Sequence, residues 1–185
     1  MPKEKVLIVI DGNNFYNRKK ELGVKRHHLT QFNYKKMADW LADGGRIICR
    51  NYYIGVVRAD RTDEHGQRLR SKQQQLFSHL TSAAQKFNVV RGVLMKSDGI
   101  YHEKGVDVRM AVDIVAGALQ DTYDRVVILS SDTDLIPAID LARKKGKKVT
   151  YVGFSHKPAY ALQKNSDLSR LITKSELEQF IEDRH

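Results

Sequence analysis

Hydrophobic residues along this chain come in two alternating textures. One is a short run rich in aliphatic and β-branched residues, continuous in KVLIVI at 5–10 and recurring in RIICRNYYIGVV at 46–57, FNVVRGVLM at 87–95, DRVVILSS at 124–131 and KKVTYVGF at 147–154. Runs that are apolar throughout, rather than alternating, predict strands buried on both faces of a parallel sheet. The second texture has a helical period. In NYKKMADWLADGG (33–45), Tyr34, Met37, Ala38 and Leu41 fall at i, i+3, i+4 and i+7, with Asn33 as N-cap and Gly44-Gly45 as the stop. NNFYNRKKELG (13–23) predicts a short helix or loop closed by Gly23. RADRTDEHGQRLR (58–70) has no period and predicts an exposed loop entering a helix over about 67–87, with Leu69, Leu76, Leu80 and Ala83 or Ala84 inward. KSDGIYHEKG (96–105) reads as a polar turn region bending at Gly99. VDVRMAVDIVAGALQ (106–120) sets Val108, Val112, Val115 and Leu119 at the spacing of one helix face. DTDLIPAIDLARKKG (132–146) is a helix that tolerates Pro137 only near its first turn. After a final strand at 147–154, KPAYALQKN and KSELEQFIEDR read as closing helices. Strands alternating with helices predict an α/β fold: a mainly parallel central sheet covered on both faces.

In such a sheet, functional residues gather at the carboxyl ends of the strands. Here that rule selects acids. The first strand ends VIDGNN and a later one ends ILSSDTD, so each runs from apolar residues straight into carboxylates: Asp11, then Asp132 and Asp134. EKGVDVRM places Asp107 at the start of a helix, an end that favours anionic groups. Like charges gathered together are unfavourable unless a cation bridges them or some are protonated. Mg²⁺ or Mn²⁺, bound by carboxylates, amide oxygens and water, resolves the conflict. Asn13, two residues after Asp11, can supply an amide oxygen or hold a water. Plainer readings stand beside this one: Asp11-Gly12 as a turn, Asp132 or Asp134 as a helix cap, and Asp107 as a helix-start charge. Asp113 has a sufficient structural explanation in Arg109, four residues earlier, a suitable helical ion pair.

Composition narrows the class of partner. The 185 residues, 41% hydrophobic and 29% charged, suit about one domain with a substantial core. Thirty-two Lys and Arg against 22 Asp and Glu give a formal net charge of +10, which points to a polyanion such as RNA or DNA. No run approaches the roughly 20 apolar residues that span a bilayer, and no basic helix carries a strongly apolar opposite face. The apolar run before Asp11 is too short for a signal peptide, and the single cysteine, Cys49, has no internal partner; both lead to the expectation of a cytoplasmic protein that makes no membrane contact. There is no GxxxxGK[ST] loop, no GxGxxG, no HExxH and no GxSxG, so no nucleotide cofactor is expected.

The ordered pattern VLIVIDGNNF … EKGVDVRMAVDIV … DRVVILSSDTDLIPAIDLARKKGKKVTYVGF resembles the NYN domain family of PIN-like nucleases, in its LabA-like branch. The resemblance runs from about Val6 to Thr173. It implies a PIN-like, Rossmann-like α/β/α sandwich over residues 1–173, with 174–185 a helical extension of the same domain. It also implies an acidic pocket that binds Mg²⁺ or Mn²⁺ and hydrolyses RNA phosphodiesters. Carried over by motif, Asp11 and Asn13 match the first acidic strand end, Asp107 the K-G-V-D aspartate, and Asp132 and Asp134 the S-x-D-x-D pair. The family usually has Gly at the position of Ser131. Asp167, in SDLSRLIT, stands at an acidic position of the closing motif but is not taken as a ligand.

On that reading, Asp11, Asp107, Asp132 and Asp134 hold one or two ions that activate a water for in-line attack on phosphorus. Asn13 and Ser131 orient water or phosphate, and Lys104 meets the scissile phosphate. Arg18 and Lys19 of NRKK, with VKRHH, RADR, RLRSK and RKKGKK, grip the backbone of single-stranded RNA, contacts that carry little sequence information. Tyr16, Tyr52 and Tyr53 are candidates to stack bases, although Tyr52 and Tyr53 lie in a strand. Nothing in the chain excludes a homodimer. The alternatives are a non-catalytic RNA-binding or regulatory module on the same fold and a haloacid-dehalogenase-like phosphatase with Asp11 as nucleophile. The second wants an aspartate two residues on, where this chain has Asn13. A Toprim-like domain shares the DxD pair but places glutamate after its first strand.

Overall fold

The computed structural model describes residues 2–24, 29–57, 62–97 and 100–182, with the backbone alone described over 93–97 and 100–104. Among these residues seven strands form one sheet: β1 (Lys5–Asp11), β2 (Arg46–Val57), β3 (Asn88–Ser97), β4 (Ile100–Lys104), β5 (Arg125–Leu129), β6 (Lys148–Phe154) and β7 (Leu168–Ile172). Their spatial order is β4-β3-β2-β1-β5-β6-β7. All neighbours are parallel except β3 and β4. The helices are α1 (Gly12–Glu21), α2 (Tyr34–Ala42), α3 (Glu64–Leu80), α4 (Val106–Leu119), α5 (Ile136–Lys144), α6 (Tyr160–Asn165) and α7 (Lys174–Glu178).

Successive residues of β1 point to opposite faces and so build two cores. Val6, Ile8 and Ile10 join the cluster that holds Phe15 of α1, Met37 of α2 and Leu76 of α3. Leu7 and Val9 join the cluster that holds Met110 of α4, Ile139 of α5 and Leu162 of α6. The chain therefore winds outward from β1 through β2 and β3 under one helical layer, then crosses to β5 and winds outward under the other. The direction changes between β1 and β5, which pair along their length. A crevice outside the carboxyl ends of two such strands is where this architecture binds ligands.

Several expectations hold to the residue. β2 spans 46–57, Asn33 caps α2 by accepting from Lys36 N–H, and Tyr34, Met37, Ala38 and Leu41 are buried. Pro137 lies in the first turn of α5. Five others need correction. Residues 96–105 are not simply a turn region: Ile100–Lys104 pairs antiparallel with β3, Ser97 opposite Ile100, while the expected bend at Gly99 lies outside the described residues. β6 is not the last strand, because β7 pairs parallel with it. α3 ends at Leu80, Ala83 and Ala84 are exposed, and Leu69 is only half-buried. In α4 the buried stripe is Val106, Met110, Ile114 and Ala118, while Val108, Val112 and Leu119 are exposed. Finally, Tyr52 and Tyr53 are both fully buried, one in each core, and neither is available to a base. No helix among the described residues is long and apolar enough to cross a membrane.

Lys19 departs furthest from expectation. Rather than facing solvent with its neighbours in NRKK, it is 1% exposed. Its ammonium lies 4.7 Å from the Phe32 ring centroid and 5.6 Å from that of Phe15. It has no hydrogen-bond partner among the described residues. Burial lowers its pKa from 10.5 to about 8, because a buried site disfavours the charged form. The unfolded chain thus binds this proton more tightly than the folded one. Stability contributed by Lys19 rises between pH 8 and 10.5, and the full penalty, about 3 kcal/mol, is present below pH 8. The two rings return about 1–2 kcal/mol of it. Lys19→Met is therefore expected to stabilise the protein by about 1–2 kcal/mol at pH 7, with a gain that shrinks as the pH approaches 10. Chemical denaturation of both forms across that range measures it.

Candidate active site

β1 and β5 deliver their terminal residues side by side. Asp11 closes β1 and caps α1, its Oδ1 accepting from Asn14 N–H at 3.0 Å. Its Oδ2 accepts from the Ser130 hydroxyl at 3.0 Å, just beyond β5. The same Ser130 oxygen accepts from Asp132 N–H at 3.1 Å. One buried hydroxyl thus ties the carboxylate of one strand end to the backbone of the other. The helix after Asp11 can start at once because residue 12 is glycine: a Cβ there would lie 2.3 Å from Tyr52 Cε1, and Tyr52 Oη donates to Gly12 O.

Asp132 accepts from Asp134 N–H at 2.9 Å and caps the single 3₁₀ turn Thr133–Leu135 that leads into α5. Asp134 is exposed in that turn. Asp107 stands half-buried in the first turn of α4, reached through Gly105, whose φ of 80° is a left-handed conformation that glycine adopts without strain. The cap reading of Asp132 is thus correct, whereas Asp11-Gly12 is not the turn it could have been: Asp11 caps α1, which starts at Gly12. Burial raises the pKa of Asp11, and the charges of Asp107 and Asp132 push it further up, against the pull of Asn14 and Ser130. Burial likewise raises Asp107, and Asp132 and Asp134 add to it. All four aspartates therefore share one electrostatic site.

Asn13 is half-buried beside Asp11. Ser131 donates to Asn14 Oδ1 at 3.1 Å and accepts from Arg18 Nε at 3.4 Å, bonds that a glycine at this position cannot make. Arg18 also pairs with Glu21 at 2.9 Å. A groove of about 600 Å³ beside these residues is lined by Asn14, Asn17, Arg18, Lys20, Glu21 and Lys157. Sequence reading missed Ser130 and Asn14 as working parts. The doubled serine of SSDTD was the one available signal.

Other expected contacts fall elsewhere. Lys19 is in the core, as described. The side chain of Lys104 and the segments KRHH and RADR lie outside the described residues. RKKGKK sits at the opposite edge of the sheet, because α5 runs back toward the amino ends of the strands. There Arg143 pairs with Asp167 at 2.9 Å and Lys147 pairs with Asp121. Asp167 also accepts from Val149 N–H at 2.8 Å, which fixes it as a structural residue. Asp113 pairs with Arg109 at 3.0 Å, as its spacing predicts, and accepts from Tyr53 Oη at 3.0 Å.

The donors at the site are carboxylate, amide and hydroxyl oxygens, the set a hard cation prefers. Among the described residues, no three His, Cys, Asp or Glu side chains gather closely enough to hold one ion between them.

Comparison with known proteins agrees with the fold. The chain is 19% identical to a protein of unknown function, VPA0982, from Vibrio parahaemolyticus, whose crystal structure superposes with a TM-score of 0.62 over 92% of this chain and 93% of that one. It is 37% identical over 62 residues to an uncharacterized protein, MJ0482, from Methanocaldococcus jannaschii; the match spans 34% of this chain and 26% of that protein's length. The family model of the NYN domain matches residues 5–173. The chain belongs to the NYN domain family of PIN-like nucleases.

Proposed function

We propose that this protein is a metal-dependent ribonuclease that hydrolyses phosphodiester bonds of single-stranded RNA. The observation that carries the reading is the Ser130 hydroxyl, which joins Asp11 to the backbone of Asp132 at the switch point of the sheet. This tie serves no strand pairing or core packing. Its effect is to set two carboxylates at fixed positions on the same edge. Asp11 and Asp132 hold the ion directly, and Asp107 and Asp134 act directly or through water. A bound Mg²⁺ or Mn²⁺ supplies charge for the attacking and leaving oxygens of an in-line displacement.

The chain's own residues do the rest. Asn14 and Ser130 keep the Asp11 carboxylate in one orientation, and Asn13 orients a water beside it. Arg18, Lys20 and Lys157 line the adjacent groove and meet the substrate backbone, with Arg18 itself positioned by Ser131. These cations, and the +10 charge of the chain, favour a polyanion. An amide at residue 13 disfavours the phosphatase alternative, which requires a carboxyl group there.

Three outcomes are expected. Asp11→Asn keeps an oxygen to cap α1 but loses cleavage of a labelled single-stranded RNA in Mn²⁺. Ser130→Ala frees the Asp11 carboxylate and lowers activity by about 10–100-fold, the usual cost of losing a group that orients a ligand. Mn²⁺ raises the melting temperature of the wild type, since it binds the folded state, and raises that of Asp11→Asn less. Wild-type protein that binds RNA but cuts none under any divalent ion would establish the non-catalytic alternative instead. The pH response has a definite sign. A ligand must be deprotonated, and Asp11 and Asp107 hold their protons above the ordinary carboxyl range. The Mn²⁺-induced stabilisation is therefore lost on acidification at a pH above that of an ordinary aspartate.

A further inference from the structure

At the carboxyl end of β1, on the α1 and α3 side of the sheet and on the face opposite the α4 layer that carries Asp107, lies an apolar pocket of about 200 Å³. Gly12 and Asn13, the two residues after Asp11, form one wall. Tyr16, Leu29, Ile54, Val57 and Leu69 form most of the rest, with Lys72 also among the lining residues. Tyr16 is 36% exposed, unlike the two core tyrosines of β2. We propose that this pocket seats one nucleobase of the RNA strand, next to the phosphate held at Asp11. This rests on the nuclease reading.

Three features favour a base as the occupant. The volume is below the roughly 300–1,000 Å³ of sites that take drug-sized ligands, and suits a single flat ring system. Gly12 and Asn13, the two residues after Asp11, line the pocket, so an occupant lies at the carboxyl end of β1. Lys72 is among the pocket's lining residues, on a protein of net charge +10, a charge complementary to the phosphates that accompany a base.

The polar groups of the wall also define what kind of recognition is built. Gln73 Nε2 donates to Gly55 O at 2.7 Å, and its Oε1 accepts from Val57 N–H at 3.0 Å. Tyr52 Oη donates to Gly12 O. These groups are committed to the backbone of β2 and α1. The rest of the wall is largely apolar and includes the aromatic ring of Tyr16, so seating depends on apolar contact and stacking, which every base can provide. The pocket holds a base without reading its edge.

The test uses a single-stranded octaribonucleotide that is abasic at every position but one, where it carries 2-aminopurine, in EDTA so that nothing is cut. Wild-type protein is expected to quench the fluorophore and to bind this probe at least fivefold more tightly than the fully abasic octamer. Tyr16→Phe keeps the quench, Tyr16→Ala weakens it severalfold, and Leu69→Glu, at a half-buried position, abolishes it. Equal affinity for the two octamers, or a wild-type quench retained by both Tyr16→Ala and Leu69→Glu, overturns the proposal. So does binding of free 2-aminopurine riboside as tight as the octamer, which would make this a small-molecule site. The two readings separate in Mn²⁺. Cleavage of RNA with no seated base removes the pocket alone, whereas a seated base with no cleavage removes the nuclease reading and leaves the pocket.

Discussion

The buried hydrogen bond from Ser130 to Asp11 spans the one place where this sheet reverses its direction of winding. On either side of it the chain departs to a different layer: α1 leaves β1 toward one core, α5 leaves β5 toward the other. The two strand ends would otherwise be held only by their ladder, which stops at Ile10 and Leu129. Ser130 extends the connection beyond that point and transfers it to side chains. Because its oxygen also accepts from Asp132 N–H, the turn carrying Asp132 and Asp134 is placed relative to Asp11 by two hydrogen bonds. A polar pair in this location is costly unless fully satisfied. Here Asp11 accepts from both Ser130 and Asn14, so the carboxylate is fixed in orientation yet keeps lone pairs for a cation.

Much of this was legible in the sequence because strand ends are abrupt. VIDGNN and ILSSDTD pass from apolar to acidic within one residue, and a parallel sheet sends such residues to one edge. Asp11, Asp132 and Asp134 were singled out that way and Asp107 from its helix start; Asp107 and Asp132 act on Asp11, and Asp132 and Asp134 on Asp107. Ser130 and Asn14 were not found. Their role depends on which atoms face across the β1–β5 boundary, and no linear spacing encodes that. The basic residues were sorted poorly for a related reason. NRKK looks like one cationic cluster, but a helix turns by 100° per residue: Arg18 is directed to Ser131, Lys19 into the aromatic core and Lys20 to the groove.

The misread face of α4 has a different origin. Val106, Met110, Ile114 and Ala118 form one helical stripe, and Val108, Val112, Val115 and Leu119 form another. Both are apolar, so periodicity alone offers two solutions. What selects between them is polar. Asp113, paired with Arg109, is also the acceptor for Tyr53 Oη inside the sheet, which sets the rotation of the helix and turns the Val108 stripe outward. The ion pair was predictable from its i, i+4 spacing; the tyrosine 60 residues away was not. The same limitation hid β4, whose short polar sequence becomes a strand only because β3 extends beyond its neighbours and offers it an edge.

The electrostatics of the whole site follow from setting acids within a cationic surface. Burial, with the neighbouring acids adding to it, raises the pKa of Asp11 and of Asp107. Alone, a groove carrying Arg18, Lys20 and Lys157 attracts a phosphate backbone but has no means of breaking it. On the proposed function a divalent ion would make the two compatible: it would relieve the repulsion among the acids and let a phosphate approach them. The ion and the polyanion should therefore favour each other's binding. Each removes an electrostatic obstacle to the other, and such coupling is reciprocal by thermodynamic necessity. A fully neutral edge would need no ion and offer no such coupling, which gives a physical reason for acids to persist at the most crowded point of a basic protein.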